Sequence, residues 1–89
     1  MQIKLSPEVV RDLKKIKQKN PKLSNRIQKQ LNLFSIDPKH PSLRTHKLSA
    51  KMSNLWSISI TMSIRMVYRL LGEDKAYFIR IGTHDEVYS

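Results

Sequence analysis

The chain has 89 residues, of which 17 are Lys or Arg and 7 are Asp or Glu, so its formal net charge is +10. This length fits a single domain over residues 1–89, and the absence of cysteine excludes disulfides, thiolate chemistry and zinc–cysteine sites. No apolar run approaches the roughly 18 residues of a membrane-spanning helix, and the first residues lack the pattern of a signal peptide, so we expect a cytoplasmic protein with no membrane partner.

The first predicted elements are a short edge strand over residues 2–5 and the helix that follows it. The helix begins at Ser6-Pro7, because a hydroxyl side chain can cap the first turn and proline needs no N–H donor at the first helical position. Three apolar side chains then recur at helical spacing: Val9, Leu13 and Ile16. Asn20-Pro21 ends this helix.

A second helix is predicted from about Ser24 to Asp37-Pro38. Its apolar residues are spaced four, four and three apart: Leu23, Ile27, Leu31 and Phe34. Because only a few residues join the two helices, we expect them to form an antiparallel hairpin.

Beyond Pro41 the apolar period changes from about 3.6 to about 2 residues, which indicates strands. Strands are predicted over residues 43–49, 57–62 and 64–70, followed by a last strand that carries Tyr77, Ile79 and Ile81. Residues 71–75 form the hairpin connection between the last two strands. This order predicts an α+β fold, in which an N-terminal helical hairpin packs on a mainly antiparallel sheet of four to five strands.

Strict alternation predicts which side chains of the last two strands face the helices. In the strand over 64–70 the even positions should face the helices, which leaves Arg65, Val67 and Arg69 on the opposite, open face. In the last strand we expect Tyr77, Ile79 and Ile81 to face the helices, and Ala76, Phe78 and Arg80 to lie on the open face.

Residues of that open face are chemically suited to bind and cleave RNA. Arginine binds phosphate oxygens in a bidentate geometry, an exposed tyrosine stacks on a base, and histidine transfers protons near neutral pH. Attack by the 2′-OH of RNA needs a base, cations and an acid. We expect these groups from Arg65, Arg69 and Arg80, from His46 and Lys47 of the earlier strand, and from His84, Asp85 and Tyr88, where the chain can fold back over the face.

Simpler interpretations of the same residues stay open. Arg65 and Arg69 also fit a solvated sheet face, and His84 fits a turn histidine hydrogen-bonded to Asp85. Trp56 is interpreted as a packing residue. The three histidines are not closely spaced, so we expect neither a metal site nor a cofactor.

The positive charge is concentrated in the first part of the chain. Residues 1–51 hold 13 basic and 3 acidic residues, whereas residues 52–89 hold 4 basic and 4 acidic residues. This asymmetry favours a polyanionic partner. Nucleic acid is favoured over an anionic membrane surface, because a membrane-binding helix also needs a bulky apolar face.

Four segments carry a resemblance to a known family. They are Leu-Arg-Thr-His-Lys-Leu (43–48), Trp-Ser-Ile-Ser-Ile (56–60), Ile-Arg-Met-Val-Tyr-Arg-Leu (64–70) and Ile-Arg-Ile-Gly-Thr-His-Asp-Glu-Val-Tyr (79–88). With these segments the chain resembles the RelE/ParE toxin superfamily, and in particular the RelE and YafQ branches of ribosome-dependent mRNA interferases. The resemblance covers nearly the whole chain, is most specific at residues 80–88, and implies a RelE-like fold.

The resemblance implies catalytic roles for four residues. Arg65 matches the RelE-type arginine that contacts the scissile phosphate, and Arg80 and His84 match the YafQ-type Arg and His. His46 matches the first YafQ-type histidine. His84 is then the acid that protonates the leaving oxygen, and the base stays open between His46, His84 and neither, with His46 favoured.

The resemblance also implies RNA-binding residues. Tyr88 occupies the terminal aromatic position that stacks on an mRNA base, Lys47 supplies charge as the lysines of RelE do, and Arg44 and Arg69 add further cations. Two family features are missing, because the second histidine and the aspartate of YafQ-like proteins align with Ile60 and Ser63, and the C-terminal catalytic arginine of RelE is replaced by His84.

The function that follows from this resemblance is that of a toxin of a type II toxin–antitoxin pair. It implies cleavage of mRNA in the ribosomal A site without metal, with ribosomal RNA bound by the basic helices and an acidic antitoxin bound in a hetero-oligomer. ParE-related members of the superfamily instead inhibit DNA gyrase without nuclease activity, which is the main alternative. A non-toxic RNA-binding module is a third.

Overall fold

The computed structural model of the chain describes residues 1–49 and 52–88. Its elements are β1 (Gln2–Leu5), α1 (Pro7–Lys19), α2 (Pro21–Ile36), a 3-10 turn (Pro41–Leu43), β2 (His46–Ser49), β3 (Met52–Ser59), β4 (Ile64–Leu71), β5 (Lys75–Thr83) and α3 (His84–Tyr88). None of the described helices has the length and apolarity needed to cross a membrane.

Asn20 joins the two helices of the hairpin by capping both of them. Its backbone N–H donates to the Ile16 carbonyl at the end of α1, and its side-chain Oδ1 accepts from the Leu23 N–H at the start of α2. The second helix therefore begins at Pro21 and not near Ser24 as predicted. The reason is that a proline that ends one helix is also well tolerated at the first position of the next.

The sheet has five strands in the order β1-β5-β4-β3-β2. β1 runs parallel to β5, and the other three neighbouring pairs are antiparallel. The predicted α+β architecture, with a helical hairpin and a mainly antiparallel sheet, is confirmed.

Two strand boundaries differ from the prediction. β2 begins at His46 rather than at Leu43, because residues 41–43 form a 3-10 turn and Arg44 adopts a left-handed conformation with φ 44°. β3 covers Met52–Ser59, so the predicted strand over 57–62 is displaced toward the N-terminus. The Ile60 N–H donates to the Ile64 carbonyl (2.9 Å), which closes the connection to β4.

A bulge in β5 reverses part of the predicted face assignment. Val67 of β4 pairs with Arg80 while Tyr68 pairs with Phe78, so Ile79 is an extra residue opposite this step. Ile81 and Arg80 keep their predicted faces, but the residues before the bulge change sides. Ala76 and Phe78 belong to the core under the helices, whereas Tyr77 and Ile79 do not.

The core lies between the helical hairpin and one face of the sheet. Three aromatic rings form its centre, with ring centroids 4.9 Å apart for Phe34 and Tyr68, 5.5 Å for Phe34 and Phe78, and 5.2 Å for Tyr68 and Phe78. Burial raises the pKa of the Tyr68 hydroxyl to about 12, because the charged form loses its hydration. The tight packing holds the sheet in one register against α2.

Candidate functional site

The strand register aligns polar and basic residues in rows across the face opposite the helices. His46, Ser57, Val67 and Arg80 are successive cross-strand partners on β2, β3, β4 and β5. Direct partners point to the same side of a sheet, so His46 and Arg80 share this open face. The next row contains Ser59, Arg65 and Gly82.

Arg65 is held on the open face by two hydrogen bonds. Its Nε donates to Ser57 Oγ (3.1 Å), and its Nη2 donates to the Arg44 carbonyl (3.0 Å). Arg44, which supplies this carbonyl, follows directly after the 3-10 turn and has a left-handed backbone conformation. These bonds use only some of the N–H donors of the guanidinium and fix its orientation before any ligand binds.

Arg80 links the sheet to the C-terminal helix. Its Nη1 lies 3.4 Å from the Glu86 carbonyl, and its side chain is otherwise exposed. Arg65 and Arg80 lie on adjacent strands, one step apart diagonally, because Arg65 pairs with Gly82 and Arg80 pairs with Val67. Diagonal neighbours lie within reach of long side chains, so the two guanidinium groups can contact one phosphate.

α3 begins with a capping box that the sequence analysis did not identify. The Glu86 N–H donates to Thr83 Oγ1 (3.3 Å), and the Thr83 N–H donates to Glu86 Oε1 (2.8 Å). The backbone hydrogen bond from Thr83 lowers the pKa of Glu86, and the Thr83 side chain lowers it further. A Cβ at Gly82 would lie 3.1 Å from Glu86 Cβ, so a larger residue at this position would require Glu86 to shift by a few tenths of an ångström.

α3 covers part of the open face, as expected for the end of the chain. It contacts β4 and β5, and its Val87 is buried outside the core under the helices, as is Val67 on the open face. His84 is the first residue of α3, which differs from the turn interpretation, and its side chain is exposed. Tyr88 ends the helix, and its side chain lies outside the described part of the structure.

Three expected members of the open face lie elsewhere: Lys47, Ala76 and Phe78. Lys47 follows His46 directly, so it points to the other side, where its Nζ lies 5.9 Å from the centroid of the Trp56 ring. Phe78 is buried in the core because of the bulge, and Tyr77 takes its place on the open face as the partner of Arg69. Arg69 itself is exposed on that face.

Three residues that shape this site were not predicted from the sequence. Ser57 anchors Arg65, Glu86 caps α3, and Tyr77 is the aromatic residue of the open face. The Thr-x-x-Glu pattern over 83–86 was the one available signal, since it is typical of a helix N-terminus. Over residues 1–49 and 52–88, no group of three His, Asp or Glu side chains is arranged to hold a metal ion.

Comparisons of the whole structure show the same fold in several toxins. The YoeB/ParE toxin from Agrobacterium tumefaciens is 20% identical, with 94% of this chain and 99% of that chain covered and a TM-score of 0.79. YafQ from E. coli is 20% identical over 99% of this chain and 98% of its own, with a TM-score of 0.76. The YoeB–YefM complex from Staphylococcus aureus matches with 22% identity, 94% and 97% coverage and a TM-score of 0.70.

The sequence comparison identifies the family. No curated protein matches the sequence. Residues 3–88 match the family described as the ParE toxin of type II toxin–antitoxin systems, parDE. This match spans nearly the whole chain and agrees with the resemblance to the RelE/ParE superfamily. The chain therefore belongs to the ParE toxin family of type II toxin–antitoxin systems, within the RelE/ParE superfamily.

Proposed function

We propose that this toxin is a ribosome-dependent endoribonuclease that cleaves mRNA in the ribosomal A site. The observation that carries the proposal is the fixed guanidinium of Arg65, which shares the open face with Arg80 and with His46. Two hydrogen bonds to neighbouring groups distinguish Arg65 from an arginine that only solvates a sheet face. An arginine that binds phosphate gains from them, because the geometry is set before the substrate arrives.

The proposed reaction is attack of a 2′-OH on the adjacent phosphorus. His46 takes the proton from the 2′-OH, the 2′-oxygen bonds to phosphorus, and Arg65 and Arg80 stabilise the added negative charge of the phosphorane. The bond to the 5′-oxygen then breaks, and His84 donates a proton to that oxygen. The products are a 2′,3′-cyclic phosphate and a free 5′-OH, and no step needs a metal or cofactor.

Outside the open face, the surface is suited to bind two macromolecules, ribosomal RNA and an antitoxin. The exposed lysines and arginines of α1 and α2 are suited to ribosomal RNA, since phosphate contacts dominate the affinity of basic proteins for nucleic acid. We assign the mRNA contacts to Arg69 on the open face, to Tyr88, the last residue of α3, and to Arg44 and Lys47, which lie before and on the edge strand β2. The ribosome would also orient the mRNA, which lowers the demand on a small site.

The second partner is an antitoxin with an acidic, apolar segment. Two of the similar structures are toxin–antitoxin complexes, YoeB–YefM and DinJ–YafQ. On this chain a groove of about 520 Å³ lies between α1, α2 and the edge strand β1, with Lys14 and Lys17 at its rim. Its apolar lining consists of Ile3, Leu5, Val10, Leu13, Ile27 and Leu31. An amphipathic acidic segment matches both the lining and the charge.

Mapping of mRNA 5′ ends after controlled expression tests the nuclease. We expect in-frame cuts in translated messages, and a loss of cutting of at least about a hundredfold in Arg65→Ala and in His84→Ala. Arg65→Lys should retain only part of the activity, because lysine cannot bridge Ser57 and the Arg44 carbonyl in the same fork. Lys75→Ala, which removes a charge from the first residue of β5, is the matched control and should cut normally.

Inhibition of DNA gyrase is the second candidate function, and the match to the ParE toxin family favours it. It predicts growth arrest with DNA damage and with intact messages. Arrest that persists in both Arg65→Ala and His84→Ala without new 5′ ends would contradict the nuclease and support this candidate. Circular dichroism of the purified variants shows whether each one is folded.

A further inference from the structure

A pocket of about 430 Å³ lies beside the candidate site, between the α2–β2 connection and Trp56. Its lining consists of Lys39, His40, Pro41, Arg44, Thr45 and Trp56. Two of these residues are cations and none is acidic. The pocket is separate from the apolar groove between α1, α2 and β1, with which it shares no lining residue.

The loop that forms the pocket is shaped by its own hydrogen bonds. The Ser42 N–H donates to His40 Nδ1 (3.1 Å), and Thr45 Oγ1 donates to the Pro38 carbonyl (3.2 Å). These bonds hold the 3-10 turn against the connection and leave the side chains of Lys39 and Arg44 exposed. The walls are therefore preorganised and positively charged.

Trp56 contributes an unused hydrogen-bond donor. Its indole Nε1–H is buried and has no acceptor among the described residues. Buried donors are normally paired, so this unpaired donor beside a cationic pocket is available to an acceptor from a ligand. Lys47 lies over the ring at 5.9 Å from its centroid, which adds a third cation near the pocket.

Arg44 connects the pocket to the candidate site. Its side chain lines the pocket, and its carbonyl accepts a hydrogen bond from Arg65 Nη2 (3.0 Å). The same residue therefore borders both the pocket and the Arg65 guanidinium.

We infer that this pocket is a subsite for a nucleotide of single-stranded RNA next to the reacting phosphate. Lys39 and Arg44 bind its phosphate, the flat surfaces of Trp56 and His40 contact its base, and the indole N–H donates to an oxygen of the ligand. This rests on the proposed nuclease function. An acidic peptide would use the cations but would leave the aromatic surfaces without a matching partner.

Trp56 is the only tryptophan of the chain, so intrinsic fluorescence reports directly on the pocket. The probes are inorganic phosphate, adenosine 5′-monophosphate, a 2′-O-methylated trinucleotide that cannot be cleaved, and a glutamate-rich peptide. We expect a saturable change in emission with the nucleotides, with the trinucleotide binding more tightly than the monophosphate and phosphate alone binding most weakly.

Variants identify the residues that bind. Lys39→Ala and Arg44→Ala should each weaken trinucleotide binding by about tenfold, as expected for loss of a charged hydrogen bond. Lys75→Ala removes a lysine at the first residue of β5, away from the pocket, and it should bind as the wild type does. Trp56→Phe keeps a ring but removes the N–H donor, and calorimetry should show several-fold weaker binding with the fold retained.

Three results would overturn the subsite: no saturable change with any nucleotide, equal binding by Lys39→Ala and wild type, or binding of the acidic peptide in place of the nucleotides. The last result would assign the pocket to a protein partner. Because the trinucleotide cannot be cleaved, this test does not depend on catalysis. If the wild-type protein cuts no mRNA but still binds the trinucleotide, the nuclease is refuted and the subsite stands.

Discussion

The two faces of the sheet are formed by the same strands but carry different kinds of side chain. On the helix side, Phe34, Tyr68 and Phe78 pack ring against ring, and almost all of their surface is buried. On the open side, Arg65 and Arg80 make hydrogen bonds to a hydroxyl and to backbone carbonyls, and remain at least partly exposed. Stability should therefore depend on the first face and activity on the second, which makes the two separable by substitution.

The largest loss of stability is expected when a buried ring is removed from the helix-side face. Phe34→Ala removes the ring that contacts both Tyr68 and Phe78, and should lower the free energy of unfolding by about 3–5 kcal/mol. Urea denaturation measures this change. Phe34→Leu, which refills most of the space, should lose clearly less. Equal losses in the two variants would contradict a core that depends on ring packing.

Gln30 links the helix side of the sheet to the open side, because it is buried in the core and supports residues of the open face. It is almost completely buried, and its Nε2 donates to the carbonyls of Ser59 (2.9 Å) and Ser42 (3.4 Å). Ser59 is the cross-strand partner of Arg65, and Ser42 lies in the turn before Arg44. The Gln30 side chain therefore connects α2 to the strand that pairs with Arg65 and to the turn that precedes Arg44.

Gln30→Met should lower the free energy of unfolding by about 1–3 kcal/mol, since it leaves a buried carbonyl without its donor. It should also reduce mRNA cutting at a temperature where the variant is folded, because the Arg44 carbonyl loses its support. Gln28→Met changes an exposed position of the same helix and is the control. Normal cutting by a folded Gln30→Met would show that the two faces are independent here.

Ser57→Ala tests the open face with little cost to stability. It removes the hydroxyl that accepts from Arg65 Nε, and the net loss of one such hydrogen bond is about 0.5–1.5 kcal/mol. The proposed cleavage should slow several-fold because Arg65 is no longer held in one orientation. Ser63→Ala, at an exposed position before β4, is the matched variant. Identical cutting rates for both would remove Ser57 from the site.

The smallest effect concerns the cap of α3. The pKa of Glu86 lies below its ordinary value, so the charged carboxylate is favoured in the folded state and its contribution to stability is present above that ordinary value. The contribution is lost as the pH falls through the lowered pKa. The Thr83 amide resonance should follow this titration in NMR spectra, and Glu86→Gln should abolish the response. A Thr83 resonance that titrates unchanged in Glu86→Gln would disprove the capping box.

Much of the fold could be predicted from local patterns. Ser6-Pro7 and Asn20-Pro21 mark helix ends through their capping groups and the missing proline donor, and these are properties of a few neighbouring residues. The alternation in β4 likewise predicted the faces of Arg65 and Arg69. The predicted start of α2 near Ser24 was wrong, because the same proline can end one helix and begin another.

The candidate site was less predictable, because its contacts join residues that are distant in the sequence. Ser57 and the Arg44 carbonyl reach Arg65 from other elements, and no local pattern identifies either of them as its partner. The roles of His46 and His84 in catalysis stay predictions that the mapping of mRNA ends will test. The same holds for Tyr88, Lys47 and Arg69 in binding RNA.

The sequence alone determined the charge, the helical hairpin, the period of each strand and the membership of the toxin family. Tertiary structure decided which side each residue of β5 takes, because the bulge at Ile79 depends on how β4 pairs with it. It also placed the side chains of Lys47 and His46 on opposite faces of the sheet and directed the Arg44 carbonyl toward Arg65. A period is a property of neighbours along the chain, whereas register and left-handed turns are selected by the packing of distant segments.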